Sequence, residues 1–120
     1  MVTSIMVVVE NLELISRSCD SITLYDNQCL YGEMIDYSRK NKEYIRSIPD
    51  KEVGPIIKNL VIVWLDMIEG YAELAKMGND KYCIPAKIKC IASHAKLFLL
   101  EYGNYEITVL ALKKRVVRND

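Results

Sequence analysis

The side chains best suited to metal chemistry in this 120-residue sequence are its cysteines and its single histidine, above all Cys83, Cys90 and His94. Spacings of seven and four residues place these three on one helix face, and Cys90 and His94 alone could share a metal ion. Either Cys19 or Cys29 would have to complete a four-ligand site. However, no Cys-x-x-Cys pair occurs, and Pro85 favours a helix that starts after Cys83. Because cysteine is often buried, we expect structural cysteines and no metal.

Disulfides are the other chemistry open to the four cysteines. Four cysteines allow three pairings, and the sequence does not choose among them. Cys29 and Cys83 each precede or begin a predicted helix, so they could meet at one end of a bundle. Intracellular disulfides are typical of hyperthermophiles. Low Gln content with many Lys and Glu residues is typical of hyperthermophile proteins, and this sequence has a single Gln. Seven Asn and five Met argue against such a source. The composition therefore leaves open whether the source is a hyperthermophile or a virus of one.

Acid–base and nucleophilic catalysis find little support in the sequence. Asp66, Glu69 and Glu73 share a helical face, but di-metal helical bundles also use Glu-x-x-His pairs, and none occurs here. We therefore expect a solvated acidic face. Ser93 adjoins His94, and consecutive helix residues point apart. With no glycine-rich phosphate loop, we expect no enzyme activity and no cofactor.

Basic residues form two clusters in a chain whose sixteen basic and sixteen acidic residues cancel. The clusters are Arg39, Lys42 and Arg46, and then Lys113, Lys114, Arg115 and Arg118. The simpler interpretation of the second cluster is that basic residues at a helix C-terminus complement the helix dipole. If both clusters face one way, they could contact RNA or DNA phosphates. Residues 1–36 are acidic and residues 83–120 basic, which is typical of acidic and basic helices packing side by side.

Prolines and glycines divide the chain into predicted helices. The first starts at Thr3 or Ser4, with Ile5, Val8, Leu12 and Ile15 in helical phase. The second spans Tyr31 to Ile48, with Leu30, Met34, Tyr37, Tyr44 and Ile48 in phase and Asn41 as a polar interruption. The third starts at Pro55 and ends near Met77, where Gly78 suits a left-handed cap. Pro85 opens the last helix.

The third helix is apolar around almost its whole circumference. Apolar residues with spacings of three and four lie on one side of it, namely Ile57, Leu60, Trp64, Met67, Tyr71 and Leu74. Further apolar residues such as Val61, Val63 and Leu65 widen the surface. Such a helix is either central or shared between subunits. The run from Ile56 to Ile68 is too short and too interrupted by polar residues to span a bilayer.

The Gly103-Asn104 pair leaves open three interpretations of the secondary structure in the last third of the chain. Apolar residues repeat at spacings of three and four from Ile88 to Val116, which predicts one helix through Gly103. A packed stripe can outweigh the cost of one glycine. Two helices separated at Gly103-Asn104, or a hairpin, are the alternatives. A continuous helix would exceed its neighbours in length, and its exposed apolar stripe would need a partner.

The sequence as a whole predicts an all-α protein, a single compact bundle of four or five helices with long amphipathic helices. We expect a non-enzymatic interaction protein that acts as a homodimer or as a subunit of a larger assembly. The interface residues we predict are Trp64, Met67, Tyr71, Val109, Leu112 and Val116. The alternative is a nucleic-acid-associated accessory subunit that uses the two basic clusters. With no secretory signal and no spanning segment, we expect a cytoplasmic protein without a membrane partner.

Overall fold

The computed structural model describes residues 3–21, 28–78 and 83–103. They form four helices: α1 at Thr3–Asp20, α2 at Gln28–Ser47, α3 at Pro55–Lys76 and α4 at Ile84–Tyr102. The described residues contain no strand. The predictions for Val109, Leu112 and Val116, and for the basic cluster at 113–118, lie outside the described residues.

The four helices form an antiparallel ring. Each helix packs against the next along the chain, and α1 also packs against α4. The end of α1 lies beside the start of α4, since Asp20 pairs with Lys89, and Glu13 pairs with Lys96 further along the same two helices. The all-α bundle is therefore confirmed, with four helices in the part of the chain described. None of these four helices combines the length and apolarity needed to cross a membrane.

Glycine and proline mark the helix ends much as predicted. Pro55 occupies the first turn of α3, and Pro85 lies in the first turn of α4. Gly78 follows α3 with φ of 88°, the left-handed conformation that glycine adopts without steric cost. Cys83 precedes α4, as the proline predicted, and has φ of 54°. The second helix starts earlier than expected, at Gln28 and not at Tyr31.

The bundle core is drawn from all four helices. The predicted stripe of α1 is confirmed, since Ile5, Val8, Leu12 and Ile15 are all buried. In α2, the polar interruption Asn41 is also buried. Its Oδ1 accepts a hydrogen bond of 2.9 Å from Asn11 Nδ2, and its own Nδ2 donates to the Tyr37 carbonyl at 2.7 Å. The core therefore contains one satisfied amide pair between α1 and α2.

The apolar stripe predicted on α3 does not coincide with the buried face of the helix, to which only Ile57 of that stripe belongs. The buried residues of this helix are Ile57, Val61, Leu65, Ile68, Ala72 and Ala75. Leu60, Met67 and Leu74 are exposed, and Trp64 and Tyr71 are only partly buried. Both sets repeat at spacings of three and four, so periodicity alone does not say which set faces inward. The small side chains Ala72 and Ala75 allow close helix packing on the buried face.

Gly103 marks a close approach between helices. Its backbone is right-handed helical, with φ of −54° and ψ of −31°, and its N–H donates to the Leu99 carbonyl at 2.9 Å. A Cβ at this position would lie 2.6 Å from Ile5 Cδ1. The glycine thus makes room for α1, and at Gly103 itself the chain is helical. Whether the helix continues from Asn104 onward lies outside the described residues.

Candidate interaction surface on the third helix

The candidate metal ligands of the sequence are free thiols and one histidine in contact with an aromatic ring. The cysteines are free thiols, with Cys19 buried and Cys29, Cys83 and Cys90 exposed. The His94 ring packs edge to face against Trp64, with ring centroids 5.1 Å apart. Among the described residues, no group of three or more His, Cys, Asp or Glu side chains is arranged to hold a metal ion.

The acidic face of α3 forms ion pairs with α2 across the helix interface. Lys42 Nζ lies 2.6 Å from Asp66 Oδ1 and 3.1 Å from Glu69 Oε1. Arg39 contacts Glu69 at 3.3 Å and Glu73 at 3.2 Å. The face is thus not merely solvated, because antiparallel packing places two basic residues of α2 opposite it. These ion pairs engage two of the three basic residues predicted on α2.

Lys42 is the centre of these ion pairs. Its side chain is only 13% exposed. Burial by itself would lower the pKa of Lys42, but hydrogen bonds from its ammonium group to Asp66 and Glu69 outweigh that effect and raise the pKa. Lys42 therefore stays charged and neutralises carboxylates on α3. Arg46, the third residue of the predicted cluster, is exposed.

A continuous exposed stripe runs along the outside of α3. We call it the α3 outer stripe, and its members are Ile56, Leu60, Val63, Met67, Gly70, Leu74 and Met77. Their spacings alternate between four and three residues, which is the heptad pattern of a helix–helix seam. The six side chains are between 40% and 81% exposed. The α3 outer stripe is therefore an apolar surface that stays substantially exposed in the part of the chain that the structure describes.

Aromatic side chains border the α3 outer stripe on the side of α4. Trp64 contacts the ring of Phe98 at a centroid distance of 5.1 Å, and Phe98 contacts Tyr102 at 5.2 Å. Lys87 Nζ lies 5.7 Å from the centre of the Tyr71 ring, a cation–π distance. Mutual contact restricts the rotamers of these rings. One edge of the stripe is thus held in a fixed shape before any partner binds.

Gly70 creates a depression in the middle of this surface. The residues Met67, Gly70, Tyr71, Glu73, Leu74 and Met77 line an open groove of about 470 Å³. A Cβ at Gly70 would meet nothing within 4 Å, so the bundle itself does not need a glycine there. A glycine inside a helix costs about 1 kcal/mol relative to alanine. Gly70 therefore lowers the surface at a cost that no contact within the described bundle explains.

The predicted interface residues fall on or beside this surface where they are described. Met67 belongs to the α3 outer stripe, and Trp64 and Tyr71 form its border. The predicted apolar stripe shares Leu60, Met67 and Leu74 with the α3 outer stripe, but spacing alone did not show that these residues face away from the core. The signal in the sequence was the set of small residues: Ala72 and Ala75 mark the face that packs within the bundle, whereas Gly70 lies on the other face.

Fold and surface together define a four-helix bundle with an exposed heptad seam on one helix. Comparison of the chain with known protein families, curated proteins and solved structures gave no match. Function is therefore inferred from the geometry of the chain.

Proposed function

We propose that this chain is a non-enzymatic interaction protein that binds another protein along the α3 outer stripe. The observation that carries the proposal is the exposure of a heptad repeat on a helix whose other face already supplies the core. Seams of this kind pack against a partner helix by inserting side chains between those of the facing helix.

The size of the exposed surface supports the proposal. Six apolar side chains, each about half exposed, leave on the order of 600 Å² of apolar area in one continuous stripe. Monomeric proteins rarely expose larger patches than this, and such patches are often functional. A stable interface buries roughly 800 Å² on each partner. The stripe and its aromatic border are therefore of the right size for most of one side of an interface.

Photo-crosslinking in cells of the source organism tests the proposal without assuming who the partner is. A photoreactive phenylalanine analogue would replace Val63, in the middle of the α3 outer stripe. The control places the same analogue at Lys40, an exposed residue of α2. We expect defined higher-mass adducts from position 63 and none from position 40. Equal adducts from both positions, or none from position 63, would contradict the proposal.

Binding to RNA or DNA stays the alternative, and its remaining support is the cluster Lys113, Lys114, Arg115 and Arg118. The α2 cluster contributes less than expected, because Arg39 and Lys42 are paired with carboxylates of α3. Reversing the charges of Lys113, Lys114 and Arg115 in a gel-shift assay at low and moderate salt tests this alternative. It requires a salt-sensitive shift in the unmodified chain that the reversal removes.

A further inference from the structure

We infer that the partner of the α3 outer stripe is a second copy of this chain, which pairs α3 against α3 about a two-fold axis. The inference rests on the proposed function and names the occupant of the same surface. Two-fold dimers are the commonest soluble oligomers, and their interface consists of one self-complementary patch contributed twice. The stripe has to meet that requirement in charge, in shape and in area.

Charge is compatible with self-pairing because the stripe has no charged member. The nearest carboxylates on its other edge are Asp66 and Glu73, and both form ion pairs with α2 of the same chain. Two copies can therefore approach without facing bare like charges, which would cost several kcal/mol. A strongly acidic or basic partner would find no complementary charge along the stripe.

Shape is also compatible with self-pairing. The 22-residue α3 is about 33 Å long and presents seam residues over its whole length. Met67, Leu74 and Met77 project beside the depression at Gly70, and Leu60 and Val63 project further along the stripe. A facing copy supplies both projections and a depression, so each copy can insert side chains where the other is low. This explains why a glycine occupies a position where the isolated bundle tolerates a side chain.

Area favours a second copy because both sides of a two-fold interface carry the same patch. Roughly 600 Å² of apolar stripe per copy, with the borders of Trp64 and Tyr71, gives a total of the order found in stable dimers. A single unrelated helix would cover the seam but would leave the aromatic border formed with α4 exposed. A second bundle extends beyond α3 and can cover both.

Sedimentation velocity of the purified full chain over a wide concentration range tests the inference. The key variant is Val63→Lys, which places a charge in the stripe without touching the core. The matched control is Leu97→Lys on α4, a residue that is likewise exposed and apolar. We expect the unmodified chain and Leu97→Lys to form dimers.

In Val63→Lys, where the charge enters the interface twice, we expect the dissociation constant of the dimer to rise about 100-fold. Circular dichroism and thermal unfolding of each variant verify that the bundle still folds.

The outcomes separate this inference from the broader proposal. An unmodified chain that stays monomeric at high concentration overturns self-pairing. Adducts from position 63 in cells would then show that the surface binds a different protein, whereas their absence would overturn the proposed function too. A dimer that Leu97→Lys disrupts and Val63→Lys does not would mean that the wrong surface has been assigned. Loss of folding in Val63→Lys would contradict the exposure of Val63, and Met67→Lys then tests the same stripe.

Discussion

The side chains of Asn11 and Asn41 meet between α1 and α2, where Asn11 Nδ2 donates a hydrogen bond of 2.9 Å to Asn41 Oδ1. Asn41 is 2% exposed. A buried amide pair has its hydrogen bonds satisfied only when the two helices are in this register. The pair therefore favours one register of α1 against α2 over others that would bury apolar side chains equally well.

Replacing one member of this pair is expected to cost more than replacing both. Asn41→Leu should lower the free energy of unfolding by about 1–3 kcal/mol, because Asn11 loses its acceptor in a partly buried position. The double variant Asn11→Leu/Asn41→Leu should recover much of that loss. Urea unfolding of all four proteins in a double-mutant cycle measures the coupling. Strictly additive effects would contradict a specific interaction.

Gly103→Ala is expected to destabilise the bundle although alanine is the better helix former. Its Cβ would lie 2.5 Å from the Leu99 carbonyl oxygen and 2.6 Å from Ile5 Cδ1, so the end of α4 or α1 must move, at a cost of about 1–3 kcal/mol. Ile5→Val removes that methyl group, and the double variant should regain part of the loss. Thermal unfolding of the three variants checks this. A Gly103→Ala chain more stable than the original would show that helix propensity outweighs the contact.

Stability at acidic pH is expected to depend on Glu13. The hydrogen bond from Lys96 lowers the pKa of Glu13 below its ordinary value near 4.5. A carboxyl whose pKa is lower in the folded state stabilises the fold above its unfolded pKa, and this stabilisation is lost as pH falls through the folded pKa. The free energy of unfolding should therefore fall below about pH 4.5 less steeply in Glu13→Gln than in the unmodified chain. Identical slopes would contradict this.

Thiol labelling is expected to divide the cysteines into three fast and one slow. Cys29, Cys83 and Cys90 are exposed free thiols. Burial, followed by the neighbouring Asp20 charge, raises the pKa of Cys19 to about 11, so almost no thiolate forms at neutral pH. Cys19 should react only as the bundle unfolds. Labelling that is quenched at a series of times and read by mass spectrometry would detect this difference in rate. If fewer than three thiols react quickly and the number rises after a reductant is added, a disulfide is present instead.

Much of the bundle follows from the sequence because its local signals are strong. Pro55, Gly78 and Pro85 mark helix boundaries through backbone geometry that no tertiary contact needs to supply. The stripe of α1 keeps helical phase from Ile5 to Ile15, and all four of its predicted residues are buried. At these positions the local backbone preference and the packing of the bundle favour the same conformation.

The candidate surface does not follow from periodicity because α3 carries two apolar stripes with the same spacing. Which of them faces inward depends on tertiary packing, and the ion pairs of Lys42 and Arg39 with the acidic edge of α3 fit the orientation observed. Gly103 shows the same limit. A Cβ there would approach both the Leu99 carbonyl oxygen and Ile5 Cδ1, and no local pattern contains the second contact, since Ile5 lies nearly one hundred residues earlier.

The central claim is that α3 uses one face for its own core and the other for a second copy, and the concentration dependence of the melting temperature tests it most directly. A dimer that dissociates on unfolding melts at a higher temperature as its concentration rises. Between about 5 and about 500 µM, the melting temperature of the unmodified chain should rise by several degrees, while that of Val63→Lys should rise much less because its dimer is weaker. A melting temperature of the unmodified chain that does not change with concentration would contradict the claim.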